Sequence, residues 1–138
     1  MVGGENVRVI APLIGEELDM WLEGLADFDA KRYWHAHEDW EDLWNAHKRR
    51  AAPKEEILFI QGMIQTAALL LNHERKKTRG VSNLRIKVNN KLADWGCVWG
   101  LDIVHHLQMM NVYADDVDAW NLDAQAYVLQ RCERELQA

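Results

Sequence analysis

Residues 57–71 read Ile57-Leu58-Phe59-Ile60-Gln61-Gly62-Met63-Ile64-Gln65-Thr66-Ala67-Ala68-Leu69-Leu70-Leu71. On a helix this run is apolar on most faces, the pattern of a central element wrapped by others. Working outward, Pro53 follows the break at Ala51-Ala52 and suits a first helical position. The spacing predicts this helix from Pro53 to about Lys77. Upstream, a helix over Ala30 to Arg50 carries Tyr33, His37, Trp40, Glu41 and Trp44 on one stripe, with Lys48, Arg49 and Arg50 at the cation-favouring end. Before it, Leu18, Trp21, Leu22 and Leu25 recur at helical spacing from Glu16, and Asp27 and Asp29 close the stretch. Residues 1–15, with Gly3, Gly4 and Pro12, read as an irregular lead-in.

Downstream, Thr78-Arg79-Gly80 interrupts the chain, and a fourth helix carries Val81, Leu84, Val88, Leu92 and Trp95. Gly96 and Gly100 mark a short loop. A fifth helix is expected over Asp102 to Met110 with Asp102 as cap, and a sixth from Asp115 or Asp116 to about Leu136. No strand signal competes. Short loops favour antiparallel neighbours, so the expected fold is all-α: one domain over 16–138, a bundle of five to six helices.

Composition agrees. The chain has 138 residues, 49% hydrophobic and 28% charged, which places it among soluble globular domains. Only 2 prolines and 8 glycines disfavour a turn-rich all-β architecture. No apolar run approaches a membrane span, and Met1 to Ile14 does not read as a signal peptide. Cys97 and Cys132 form no motif, so free thiols and a cytoplasmic setting are the expectation. A net charge of −6 argues against bulk nucleic-acid binding.

The chemistry concentrates in Tyr33 to Trp44. His37 and Glu41 are one turn apart, so they share a helical face, and that face is otherwise aromatic. An ionisable pair among aromatics must be paired or metal-bound to be tolerated. His37 and Glu41 could hold a divalent metal or act as an acid–base pair; equally, the pair could only orient helices. Gln61, Gln65 and Asn72 share a face with Ala68 and could line a polar pocket against that pair. Lys54 on the same face fits a solvated reading as well. His35 and His47 read as solvated, and His73 as a surface or capping residue. Trp21, Trp95, Trp99 and Trp120 read as core anchors or a self-association surface, which makes a homodimer the expected assembly. Arg75 to Lys91 holds seven bases and no acid. It suits an anionic-ligand or RNA surface or a merely solvated face, and lacks aromatics for base stacking.

The two helical motifs are familiar together. His37-Glu38-x-Trp40-Glu41-Asp42-Leu43-Trp44, then Ile60-Gln61-Gly62-Met63-Ile64-Gln65-Thr66-Ala67-Ala68, then Arg79-Gly80 resemble the domain-of-unknown-function 309 family over about residues 16–110. Thr66 departs from the usual aliphatic residue, and residues 115–138 fall outside the likeness. The resemblance implies a compact helical bundle, and family members have been labelled predicted metal-dependent hydrolases. It places the polar signature on His37, Glu41, Gln61 and Gln65. The resulting expectation has His37, Glu38 and Glu41 as catalytic residues and His37 and Glu41 as metal ligands. Gln61, Gln65, Trp40 and Trp44 would line a ligand of unknown identity. The rival expectation is a non-enzymatic dimeric or scaffold bundle whose His–Glu–Gln cluster is a structural network.

Overall fold

The computed structural model describes residues 10–132. Five helices, α1 (Gly15–Asp29), α2 (Tyr33–Arg49), α3 (Lys54–Glu74), α4 (Thr78–Leu92) and α5 (Ile103–Asp115), form the bundle. A two-residue antiparallel hairpin, β1 (Cys97–Val98) and β2 (Leu101–Asp102), stands between α4 and α5, where only a loop was expected. The all-α reading holds. α3 packs on α2, α4 and α5, and α1 packs on α2, so the apolar run is the central helix. Among the described residues no helix is long and apolar enough to cross a membrane.

The core is aromatic at the α1–α2–α3 junction. Trp21 stacks on Trp40 with ring centroids 5.4 Å apart, and Phe59 and Trp99 close the cluster edge-on. Each such ring buries roughly 150–250 Å², the largest single apolar contributions available. Their indole N–H groups are not wasted: Trp40 donates to the Trp21 carbonyl, Trp21 to that of Trp99, and Trp99 to that of Ala11. Ile10 and Leu13 are buried as well, so the described part of the lead-in contributes to the core.

Helices α1, α2 and α3 end alike. Lys31, Ala51 and Lys76 adopt left-handed φ of 65°, 52° and 54°. The following N–H groups of Arg32, Ala52 and Lys77 reach back to the carbonyls of Asp27, His47 and Asn72. These are Schellman turns closed without glycine. Asp102 caps α5 as expected, accepting from the His105 N–H at 3.0 Å. α5 runs on to Asp115, and α4 stops at Leu92, short of Trp95.

Two expectations are overturned. No sixth helix follows α5 in the described residues. Residues 116–132 form an extended strap with one 3-10 turn at Ala124–Ala126 and a bridge from Arg131 to Leu101. The rest of the expected helix, residues 133–138, lies outside the described residues. Side chains outcompete the helical backbone here. The Asp116 carboxylate accepts from the Asn121 and Leu122 N–H groups at 2.9 Å each. The Tyr33 and Tyr113 hydroxyls take the carbonyls of Ala124 and Asp123. Second, Cys97 and Cys132 are joined in a disulfide across 35 positions, so the free-thiol expectation fails.

Candidate functional site

The orientation of α2 places the predicted residues. Its core stripe is Tyr33, Ala36, Trp40, Leu43 and His47. Arg50, just past its end, bonds to Glu17 of α1, at 2.8 and 3.0 Å. At ~100° per residue, His37, Glu41 and Trp44 lie on the opposite flank of that stripe from Arg50, along the seam with α3. The short 50–53 connection makes α2 and α3 antiparallel, so His37 falls level with Gln65 and Glu41 with Gln61 along the axes, though Gln65 shares the face of α3 that carries Gly62 and Asn72 to α4.

His37 lies flat against Trp34, with planes 5° apart and centroids at 5.4 Å. Its Nδ1 is 3.8 Å from Glu41 Oε1, too far for a hydrogen bond. The His37 side chain is 21% exposed and that of Glu41 48%, so the pair sits at the mouth of the seam. The Lys48 ammonium covers the Trp44 ring at 3.6 Å from its centroid. Gln61 and Gln65 are half-buried on α3. Two buried polar atoms here have no protein hydrogen-bond partner, His37 Nδ1 and Trp44 Nε1; Gln65 Oε1 on α3 also lacks one.

The other signature residues serve packing. A methyl at Gly62 would stand 2.8 Å from Leu92 Cδ2 and 2.9 Å from Lys91 Cβ, so this glycine admits α4 against α3. A methyl at Gly80 would strike the Asn72 amide, which donates to the Ala68 carbonyl of its own helix. Asn72 is therefore occupied in seating α4. Thr66 is buried, its hydroxyl bound to the Met63 carbonyl at 2.7 Å. Trp40, expected to line a ligand, is instead fully buried between Trp21 and Phe28. Glu38 is exposed on the outer face of α2, one residue and so ~100° round from His37.

Two histidines read as peripheral are buried. His47, expected to be solvated, is fully buried. Its Nε2 is 3.3 Å from Glu56 Oε1, and its Nδ1 is 3.5 Å from Glu17 Oε1. Arg50, hydrogen-bonded to Glu17, holds that carboxyl below its ordinary range. This knot ties α1, α2 and α3 behind a cleft of about 590 Å³ lined by Ile14, Glu17, Met20, Arg49 and Arg50, among others. His47 was legible: it continues the core stripe from Tyr33 at i+14. His73, read as surface or capping, is 3% exposed and hydrogen-bonded to Asp116 at 2.8 Å, with Tyr113 and Trp120 edge-on to its ring. Its partner lies 43 positions away, which local spacing cannot reveal.

Along the α1–α2 seam two carboxyls meet. Burial, then the hydrogen bond and charge of Asp27, push Asp39 up to about 7. Asp27 is held low by its hydrogen bond with Asp39 and by Arg32, whose Nε and Nη2 bind it at 2.9 and 2.6 Å. In the basic segment, Arg85 is committed to α5, pairing with Asp115 at 2.7 Å and Asn111 at 3.1 Å.

A divalent metal needs more ligands than this seam offers. Catalytic zinc takes three protein ligands. His37 and Glu41 are two, and among the described residues no group of three or more His, Cys, Asp or Glu side chains is placed to hold an ion. The metal reading does not fit this donor set.

Neither the curated proteins nor the solved structures yield a match to this chain. A comparison with protein families does: residues 21–84, from mid-α1 through the first half of α4, match one described as a domain of unknown function. Over that stretch, which contains the whole α2–α3 seam, the chain resembles the DUF309 family.

Proposed function

We propose that the α2–α3 seam binds a small polar molecule, and that His37, with Glu41 beside it, handles a proton there in acid–base, hydrolase-like chemistry. The observation that carries this reading is the pair of partnerless buried atoms on one flank of α2, His37 Nδ1 and Trp44 Nε1. Buried polar groups in folded proteins are paired more than nine times in ten, and each one stranded costs about 1–3 kcal/mol. Two on one flank call for a guest. An indole N–H only donates, an amide oxygen only accepts, and an imidazole nitrogen does either. The guest must therefore accept from the indole and pair with the imidazole, as an amide, a hydroxy acid or a polyol can. In this arrangement Gln61 and Gln65 hold the ligand, His37 exchanges the proton, and the half-exposed Glu41 swings in to orient the imidazole.

A purely structural His–Glu–Gln network is the weaker reading, because its members would satisfy one another. Instead His37 Nδ1 and Gln65 Oε1 lack partners and Glu41 reaches towards solvent. Thermal melts of wild type, His37→Ala and Glu41→Gln test the reading, each with chelator, with zinc or manganese, and with a panel of small amides, hydroxy acids and polyols. The expected result is a compound that raises the wild-type Tm but not that of His37→Ala, with no response to metal or chelator. A metal response lost in His37→Ala would restore the metal reading. Strong destabilisation of both variants with no ligand response would favour the structural network.

A symmetric homodimer is proposed alongside, with the 53% exposed Trp34 on its surface; light scattering that reads only 16.1 kDa would end it. The expected cytoplasmic setting rested on free thiols, and the Cys97–Cys132 disulfide speaks against it, since such bonds persist mainly in oxidising compartments.

A further inference from the structure

The strap, residues 116–132, has no helix of its own, yet it covers some of the most deeply buried groups in the bundle. Tyr127 and Leu129 are 3% and 5% exposed. The Tyr127 hydroxyl lies 2.7 Å from His106 Nδ1, and its ring stacks on that imidazole at 25°. His106 is fully buried, with Phe28 edge-on to it, and its Nε2 has no partner. Beyond Leu129 only a few bonds hold the strap: Asp102 N–H to the Gln130 carbonyl, Cys132 N–H to the Gly100 carbonyl, and Arg131 to Asp29. The covalent link at Cys132 holds the end of this stretch to β1, whose Cys97 is half-buried, as is Cys132. A short edge strand with so few backbone bonds is the kind of segment that opens locally while helices persist.

We infer that the Cys97–Cys132 disulfide is a thiol-exchangeable clasp: its reduction by a dithiol frees the strap from Tyr127 onward and uncovers His106, with α1–α5 intact. The exchange balances. A thiolate of the dithiol attacks one clasp sulfur, breaking the Cys97–Cys132 bond and forming a mixed disulfide. The second thiol of the reductant then closes its own disulfide and expels the remaining cysteine. Two electrons pass to the clasp, two thiols form, and the dithiol is oxidised. Neither cysteine is sealed in the core, both residues being half-buried. The inference stands apart from the α2–α3 seam and does not depend on what that seam binds.

The test uses the full chain, purified without reductant, then split into untreated, dithiothreitol-treated and reoxidised portions, beside the variant Cys97→Ser/Cys132→Ser. Each is exposed briefly to chymotrypsin and to diethylpyrocarbonate and read by mass spectrometry, with helix content followed by circular dichroism. Reduction and the double variant should each raise cleavage after Tyr127 and modification of His106 at least tenfold, with helix content unchanged; reoxidation should reverse the gain in the wild type. Tyr127→Phe with the disulfide intact should stay protected, because the clasp still holds the strap. The inference is overturned if both cysteines alkylate without reductant, or if dithiothreitol leaves the folded protein's disulfide closed. It is overturned as well if reduction leaves cleavage and modification unchanged, or if the whole bundle loses its helix content on reduction.

Discussion

Trp44 Nε1–H can only donate, and in the α2–α3 seam no protein atom accepts from it. Trp44→Phe deletes that donor while keeping an aromatic ring beneath Lys48. If the site is built for a guest, the unliganded variant should be more stable than wild type, by about 1 kcal/mol in urea denaturation, because a stranded donor is gone. The same variant should bind the guest more weakly. Asp39 gives a second test at this scale. Its folded pKa, pushed up to about 7, lies above its ordinary 3.8, so the native state binds the extra proton between those values. Its contribution to stability therefore falls as pH rises from about 4 to about 7 and is flat above. His106 works the other way. Burial, then His105, depress it to about 3 from 6.5, so its contribution is complete above 6.5 and is lost as pH falls towards 3. Each moves one proton, so the two slopes largely offset in wild type over their shared window. Asp39→Asn removes one of them. Its stability relative to wild type should rise with pH across 4–7, in melts taken over that range; a difference that does not vary with pH would show that Asp39 is an ordinary surface acid.

At the scale of elements, the legible parts were those written in periodicity. The central helix and the Asp102 cap follow from residues a few positions apart and stand where the spacing puts them, whereas the buried stripe of α2 is Tyr33, Ala36, Trp40, Leu43 and His47, turned from the expected one so that His37, Glu41 and Trp44 fall on its flank. Helix ends were harder to read, because Lys31, Ala51 and Lys76 close the Schellman turns where glycine usually marks the spot. Those positions carry strain that a side chain imposes. Ala51→Gly relieves it at φ 52°, and the variant should gain up to about 1 kcal/mol, net of the extra freedom glycine has when unfolded. A loss of stability in Ala51→Gly would mean that the turn is not strained there. The seam itself was half legible. Spacing put His37, Glu41 and Trp44 on one flank, but the same stripe held Trp40, which belongs to the core. Only the position of Arg50 and Glu17 tells which flank faces α3.

Across the whole molecule, what local spacing hid was long-range. The disulfide, the His73–Asp116 bond and the Tyr33 anchor at Ala124 join residues 35, 43 and 91 positions apart. Residues 116–132 carry helix-compatible residues, and tertiary bonds override that propensity. The clasp also contributes globally: linking positions 35 apart removes denatured-chain entropy worth about 4 kcal/mol in the loop-closure picture. Urea unfolding of Cys97→Ser/Cys132→Ser should reveal a loss of this order, and an unchanged midpoint would indicate that the bond does not form in solution. The seam is covered by none of this covalent architecture, so its contents can be examined directly. The most direct measurement is a crystal structure at a resolution that orders individual waters and small molecules between α2 and α3. The account predicts density for a polar guest or its water surrogates bridging His37 and Trp44, with the helices placed as described. A dry seam in which these two side chains bond only to protein neighbours would contradict it.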